Sequence, residues 1–315
     1  TGTLPSAGWW LALDVGAVPR VMADERFPPW TARVRVERVE VGPLWSLMQP
    51  KADVMPVGGF VAAEATVRGD EGLAGGALDV AMTVKGLVLA RDGMTGQPVD
   101  LSAHVVGRVQ REGAVLDVER LNVEGQTLRL AARWRARHSP AVEVEKLNVE
   151  MLVDTELAMQ VLPVGMLPQG WQAKGPLLAT ANVVQNSGTV AVHLDDVTLV
   201  IPEVLEKPQG TPLFVSVTSR RAGALVEIPS FKVQLLNATL SGSALLDPKT
   251  RQVRTLELDS GSLPLAALAR VVPPLRQAFK ARGAAGAVAV QLGARDGTFR
   301  ARVMERNIVV LDNGL

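Results

Sequence analysis

Along this chain apolar and polar residues alternate over strand-length stretches, and the alternation slips by one residue at places that return about every 110 residues. Val34 and Val36 give way to Val39 and Val41 across Glu37-Arg38. Val142 and Val144 give way to Leu147 and Val149 across Glu145-Lys146, and Val253 gives way to Leu256 and Leu258 across Arg254-Thr255. From Val36 to Val144 is 108 residues, and from Val144 to Val253 is 109. Two more pairs match at 110: Val80, Met82, Val84, Leu87, Leu89 with Val190, Val192, Leu194, Val197, Leu199, and Leu116, Val118, Leu121, Val123 with Val226, Ile228, Phe231, Val233. In a strand one inserted residue sends every later side chain to the other face. A β-bulge absorbs the extra residue and bends the strand, so the apolar set stays on one side. A tight hairpin is the rival arrangement, but Glu-Arg, Glu-Lys and Arg-Thr are poor two-residue turns. Bulged strands are therefore expected, with Lys85-Gly86 and Asp195-Asp196 open to either arrangement.

After each of the three related slips comes a stretch compatible with a short helix and ended by Pro, which cannot continue a helix. These stretches fall near 43–49, 155–162 and 264–280, and the third is broken by Pro273-Pro274. Each leads to a strand that begins at a Gly: Gly59, Gly175 and Gly286. Turn-rich breaks at 91–96, 185–188, 207–210 and 247–249 separate the rest into about fifteen strands. The expected fold is mainly β: an elongated, curved, repetitive antiparallel sheet with an apolar inner groove and short helices between repeats. Residues 1–38 would end a preceding repeat, 39–148 form repeat A, 149–257 repeat B, and 258–315 an incomplete repeat C. Without an initiator Met, and ending at Asn313-Gly314-Leu315, the chain reads as a section of something longer.

Composition removes several functions. Thirty-three Lys and Arg against 32 Asp and Glu leave a net charge of +1, so nothing argues for nucleic acid, which needs a basic surface. With no Cys there are no disulfides and no Cys-ligated metal. Three His, no G-x-S-x-G elbow and no phosphate-binding loop give no support to an enzyme, a cofactor or a metal site. The nearest metal-like cluster, His193-Leu194-Asp195-Asp196, sits on a slip whose counterpart is Thr83-Val84-Lys85-Gly86, and reads as turn residues.

Thr127 to Arg137 is the clearest strand. Leu128, Leu130, Ala132, Trp134 and Ala136 fall on one face, and Arg129, Arg133, Arg135 and Arg137 on the other. Eleven residues of strand extend on the order of 35 Å. So long an apolar face must be covered, by a second sheet or by something that is not protein. Aromatics make up only 4%, so the inward rows of Val, Leu and Ala leave room rather than fill it. If the face stays open to acyl chains, its rows are Val80, Met82 and Val84; Leu116 and Val118; Leu128, Leu130 and Trp134; Val190, Val192 and Leu194; Val226 and Ile228; and Leu240. Arg129, Arg133 and Arg135 are either a solvated outer face or contacts for lipid head groups, since an Arg fork suits phosphate.

Helix, Pro, Gly-led strand and then many amphipathic strands with bulge spacing, in a chain without Cys, resembles the AsmA-like family of bacterial envelope proteins, the group of AsmA, TamB and YhdP. The opening Ala12-Leu13-Asp14-Val15-Gly16-Ala17-Val18-Pro19-Arg20-Val21-Met22-Ala23-Asp24, and Pro264-Leu265-Ala266-Ala267-Leu268 with its following Pro-Pro, resemble the YhdP branch. The resemblance implies a periplasmic protein anchored in the inner membrane by a segment outside this sequence. It implies a long β groove that carries phospholipid between inner and outer membranes in outer-membrane biogenesis. Partners would be phospholipid and, at the ends of the whole protein, inner- and outer-membrane proteins. A second expectation is an envelope assembly or scaffold module that binds outer-membrane protein clients by strand pairing.

Overall fold

The computed structural model describes residues 10–16, 29–48, 53–70, 75–110, 114–138, 142–163, 165–250, 252–279, 282–295 and 298–312. Residues 17–24 of the opening motif, Gln49-Pro50 and the last three residues lie outside them. The fold is mainly β, in antiparallel sheet with a few short helices. The chain divides after Leu167 into two compact units.

The first unit holds β1 (Trp10–Gly16), β2 (Trp30–Glu40), α1 (Val41–Met48), β3 (Met55–Gly69), β4 (Gly75–Arg91), β5 (Met94–Thr95), β6 (Val99–Gln110), β7 (Val115–Gly125), β8 (Leu128–His138), β9 (Val142–Asp154) and α2 (Thr155–Val161). It is an up-and-down meander: β1, β2, β3, β4, β6, β7, β8 and β9 pair antiparallel in that order, and β5 adds to the end of β4. The helix α2 starts where Asp154 accepts a hydrogen bond from Leu157 N at 3.1 Å, the usual cap of a first turn.

The second unit holds β10 (Gln172–Lys174), β11 (Pro176–Val184), β12 (Ser187–His193), β13 (Thr198–Ile201), β14 (Leu205–Lys207), β15 (Leu213–Ala222), β16 (Leu225–Leu235), β17 (Ala238–Asp247), β18 (Gln252–Asp259), β19 (Leu263–Pro264), α3 (Leu265–Leu268), α4 (Pro273–Phe279), β20 (Arg282–Arg295) and β21 (Thr298–Asp312). Its meander runs β11, β12, β15, β16, β17, β18, β20, β21, while β19 pairs with β20. Strands β10, β13 and β14 form a separate three-stranded sheet. Pro273 and Pro274 do break the helical stretch, but they open α4 rather than end the element, because a Pro in the first turn lacks only an N–H that has no helical partner there.

Register shifts fall on the sequence slips. They lie between Val36 and Val39 in β2, Val84 and Leu87 in β4, Val118 and Leu121 in β7, Val144 and Lys146 in β9, Ile228 and Phe231 in β16, and Val253 and Thr255 in β18. All six are bulges, and none is a hairpin. Asp195-Asp196 behaves differently. Strand β12 stops at His193, the chain turns through 194–197, and Val197 and Leu199 belong to the small sheet. Asp195-Asp196, open in the sequence to a bulge or a hairpin, is neither: β12 and β13 are two strands of different sheets that meet at a break. Lys207 holds this corner. Its side chain is 1% exposed, and Nζ donates to the carbonyl oxygens of Val197 at 2.6 Å, Asp195 at 3.1 Å and Pro208 at 3.3 Å. Burial pulls its ammonium below the ordinary lysine range, against the nearby Asp195 and Asp196.

Two helical segments are tied to strands distant in sequence. Gln97 N donates to Gln160 O at 2.9 Å, tying the end of α2 to the start of β6. Glu206 N donates to Val271 O at 2.7 Å, and Arg276 Nη1 meets Glu206 Oε2 at 2.8 Å, tying the α3–α4 junction to β14.

Three turn and strand carboxylates in the second unit lie below their ordinary range. Asp247 accepts from the Thr250 and Lys249 amides, Asp259 from the Gly261 amide and Gln291, and Glu227 from the Arg220 guanidinium. Lowered folded values mean that their contribution is present at neutral pH and lost as pH falls through those values. Stability is expected to decline below about pH 4, and Glu227→Gln should flatten part of that decline in thermal melts taken across the acid range.

Candidate functional site

Directly paired residues of an antiparallel sheet share a face, so the registers define each face strand by strand. In the first unit one face reads Val34, Val36, Val39 on β2 and Val61, Ala63, Ala65, Val67 on β3. It continues as Leu78, Val80, Met82, Val84 on β4 and Leu101, Ala103, Val105, Val109 on β6. Leu116, Val118, Leu121, Val123 follow on β7, then Leu130, Ala132, Trp134, Ala136 on β8, then Val144, Leu147, Val149, Met151 on β9. No charged residue interrupts these rows. The bulges make this possible, because without them the row on β7 would change faces at Glu119-Arg120.

The second unit repeats the arrangement. Val190 and Val192 face Val217 and Val215, which face Phe231 and Val233. Val226, Ile228 and Val233 face Leu246, Ala244 and Leu240, and Leu246, Ala244 and Gly242 face Val253, Leu256 and Leu258. Leu256 and Leu258 face Ala294 and Leu292.

All the expected groove residues in the first unit, Val80, Met82, Val84, Leu116, Val118, Leu128, Leu130 and Trp134, share one face. Val190, Val192, Val226, Ile228 and Leu240 do so in the second. Leu194 lies just past β12, where its amide donates to Leu213 O at 2.9 Å. Arg129, Arg133 and Arg135 share β8 with the apolar row but lie on the opposite face, and Arg135 is met there by Glu145 at 3.2 Å and Asp117 at 3.9 Å.

Little covers the apolar faces. Only twelve apolar side chains are buried among the described residues, and the rows are mostly half-exposed. Val109 is 47% exposed and Val190 48%, values that a residue inside a sandwich core does not reach. In the second unit burial gathers mostly near the crossing helices, at Val197, Leu213, Ala238, Leu265 and Val271, with Ala244 in the row itself; in the first it falls at Val99 and Val115 and at four members of the row, Val39, Val118, Ala132 and Ala136. The opposite faces carry cross-strand polar pairs. His104 Nε2 lies 2.8 Å from Asp79 Oδ1, Thr189 and Thr218 hydroxyls are 3.2 Å apart, and Arg220 grips Glu227 with both its Nε and Nη2. A hollow of about 920 Å³ in the first unit includes Arg35, Glu64, Thr83, Lys85, Ser102 and Glu124 in its lining, a charged set unsuited to hydrocarbon.

Sequence reasoning missed Lys207, whose chemistry depends on carbonyls 10 and 12 residues away. It expected strands to begin at Gly59, Gly175 and Gly286; Gly175 does stand just before β11, but Gly59 and Gly286 lie inside β3 and β20, at register irregularities. All three have left-handed φ, of 109°, 120° and 114°. A Cβ on Gly59 would stand 2.9 Å from Leu87 Cα, and one on Gly175 would fall onto the carbonyl oxygen of Asp196. Among the described residues no group of His, Cys, Asp and Glu is placed to hold a metal, and no helix is long and apolar enough to cross a membrane. The chain matches no family model, no curated protein and no solved structure.

Proposed function

We propose that this chain is a section of a lipid-carrying protein that shelters phospholipid acyl chains on the apolar face of a repetitive β-sheet while the head groups stay in water. The observation that carries the proposal is an apolar face that runs from strand to strand in each unit, kept in phase by bulges and left mostly half-exposed. Leaving such a face to water is costly. Each methylene removed from water is worth about 0.8 kcal/mol, so sheltering ten of them on this face yields on the order of 8 kcal/mol. Few soluble ligands other than lipid offer that much apolar surface without a polar group.

The repeat reading has support from features that return near the sequence period. Leu87 and Val197, 110 residues apart, abut the left-handed Gly59 and Gly175 in the same way. The backbone bond from Gln97 to Gln160 has a counterpart from Glu206 to Val271, with donors 109 residues apart and acceptors 111. On this reading we further propose stacked repeats around a groove, of the AsmA-like kind the sequence resembles, with a periplasmic location, an inner-membrane anchor on the whole protein and phospholipid passing between the two membranes.

Native mass spectrometry of the protein purified from a bacterial envelope, followed by organic extraction, tests the proposal. Phospholipid should co-purify and be lost when Leu130, Val192 and Leu194 are all replaced by Asp, since a charge beside an acyl chain is costly. A protein that carries no lipid and takes up none from added phospholipid vesicles would overturn the proposal.

A further inference from the structure

We infer that the hollow on the polar face of the first unit binds an extended, uncharged, β-linked saccharide. The inference does not depend on lipid binding, because this face is the back of the apolar rows. The hollow of about 920 Å³ lies across β2, β3, β4, β6 and β7, interior strands of the meander, and is within the size range of small-ligand sites. It exists because two small residues interrupt the long polar side chains of this face. Ala62 faces Thr83, and Ala81 stands between Glu64 and His104. Two rows of directly facing residues cross it: Thr83, Ser102 and Glu124, and then Glu64, Ala81, His104 and Asn122. Neighbouring rungs are about 4.8 Å apart, close to the advance per sugar of an extended β-linked chain. A saccharide laid across the strands therefore meets one rung per sugar, and the three intervals from β3 to β7, about 14 Å, accommodate three sugars.

The side chains around the hollow decide the chemistry of the ligand. Glu64 and Glu124 each have an arginine directly opposite, Arg35 and Arg129, yet among the described residues neither carboxylate forms an ion pair. Arg35 is taken by Glu37 at 2.7 Å, and both free carboxylates line the hollow. Elsewhere on the polar faces such pairs do close, as Arg220 with Glu227 and Arg135 with Glu145. A free carboxylate is an acceptor for two or more hydroxyl hydrogens. Lys85, exposed and without an ion-pair partner among the described residues, supplies donors to the same space. Lys85 and Arg38 together balance Glu64 and Glu124, so neither an anion nor a cation is favoured over a neutral polyol. Phe60, opposite Lys85, adds an apolar plate: the Arg38 guanidinium lies over its ring at 5.2 Å from the centroid, and the residue is still 41% exposed. Hydroxyl-binding carboxylates and amide beside an exposed aromatic ring match a sugar, whose rim is polar and whose C–H face is not.

The test titrates the full chain with cellotriose and chitotriose, both β-linked, and with maltotriose, the α-linked isomer of cellotriose. Calorimetry reads binding, and acetylation of lysines followed by mass spectrometry reads the place. A β-linked trimer should bind and slow acetylation of Lys85, while Lys146, on the same face but outside the hollow, reacts as before. Maltotriose should do neither. Glu64→Gln with Glu124→Gln should weaken binding by roughly tenfold or more. Ala81→Leu, at an exposed position, fills the depression and should abolish the protection of Lys85, with thermal melts confirming the fold of both variants. No binding of either β-linked trimer, equal binding of maltotriose, or binding that leaves Lys85 equally reactive overturns the inference without needing a variant to fold. Protection of Lys85 by phosphatidylethanolamine vesicles and not by any saccharide also overturns it, because the hollow then takes a lipid head group. A protein that carries no phospholipid but passes this test upholds the inference alone.

Discussion

Gly175→Ala is expected to destabilise the second unit by on the order of 3 kcal/mol or more, from two independent costs. The residue has φ of 120°, a backbone conformation that side chains with a Cβ rarely adopt. The new methyl group would also fall onto the carbonyl oxygen of Asp196 and stand 3.3 Å from Val197 Cα. That backbone cannot retreat, because Val197 is wholly buried and its carbonyl is held by Lys207. Gly210 is the matched control: its φ is 78°, but a Cβ there meets nothing. Gly210→Ala should cost only the backbone term, about 1 kcal/mol. Urea unfolding of both variants separates conformation from collision. A Gly175→Ala variant no less stable than Gly210→Ala would show that the close approach at Asp196 is relieved cheaply.

Lys207→Met is the second large effect. Methionine matches much of the aliphatic stem and removes all three N–H donors. The carbonyl oxygens of Asp195 and Pro208 keep other partners, the amides of Gly210 and Thr211, whereas that of Val197 is left inside with no donor described. A buried carbonyl without a donor costs roughly 1–3 kcal/mol, and the two aspartates lose their nearest cation. A loss of about 3 kcal/mol is expected, concentrated in the break at 194–197 and the small sheet. Amide exchange should quicken at Val197, Gly210 and Leu213 before the meander opens. The pH dependence has a definite sign. Because the folded value lies below the unfolded one, the unfolded chain binds the proton more tightly between the two, and the unsubstituted protein gains stability as pH rises toward 10.5. Lys207→Met should lack that gain.

The strand faces were legible because alternation is local. Every residue of Val80, Met82, Val84 or of Leu116, Val118 carries its side of the sheet in its parity, and the slips at Lys85-Gly86 and Glu119-Arg120 already contain the bulges. Equal alternation could not tell Lys85-Gly86, a bulge in a continuous strand, from Asp195-Asp196, where the strand breaks. The difference rests on Lys207 and on Asp195, whose side chain accepts from Leu213 N at 2.7 Å, and these meet only after folding. The small strands β10, β13 and β14 escaped notice for the same reason, being three or four residues each with no period to read. The Arg row on β8 was legible as a face, while the engagement of Arg135 by Asp117 and Glu145 on neighbouring strands was not.

In each meander most strands are partnered by strands next to them in sequence across short connections, the longer ones being β2–β3, β12–β15 and β18–β20. The chain entropy spent at each pairing is therefore small, and the sheet can grow one hairpin at a time as the polypeptide emerges, without waiting for distant segments. The crossings of the helices are the exception, since Gln97 must wait for Gln160, 63 residues later, and Glu206 for Val271, 65 later. These late closures act as checkpoints. A nascent sheet that has zipped up but not yet received its crossing helix has its strand-end core still open, and is exposed to proteases at Val99 or Leu213 until the helix arrives.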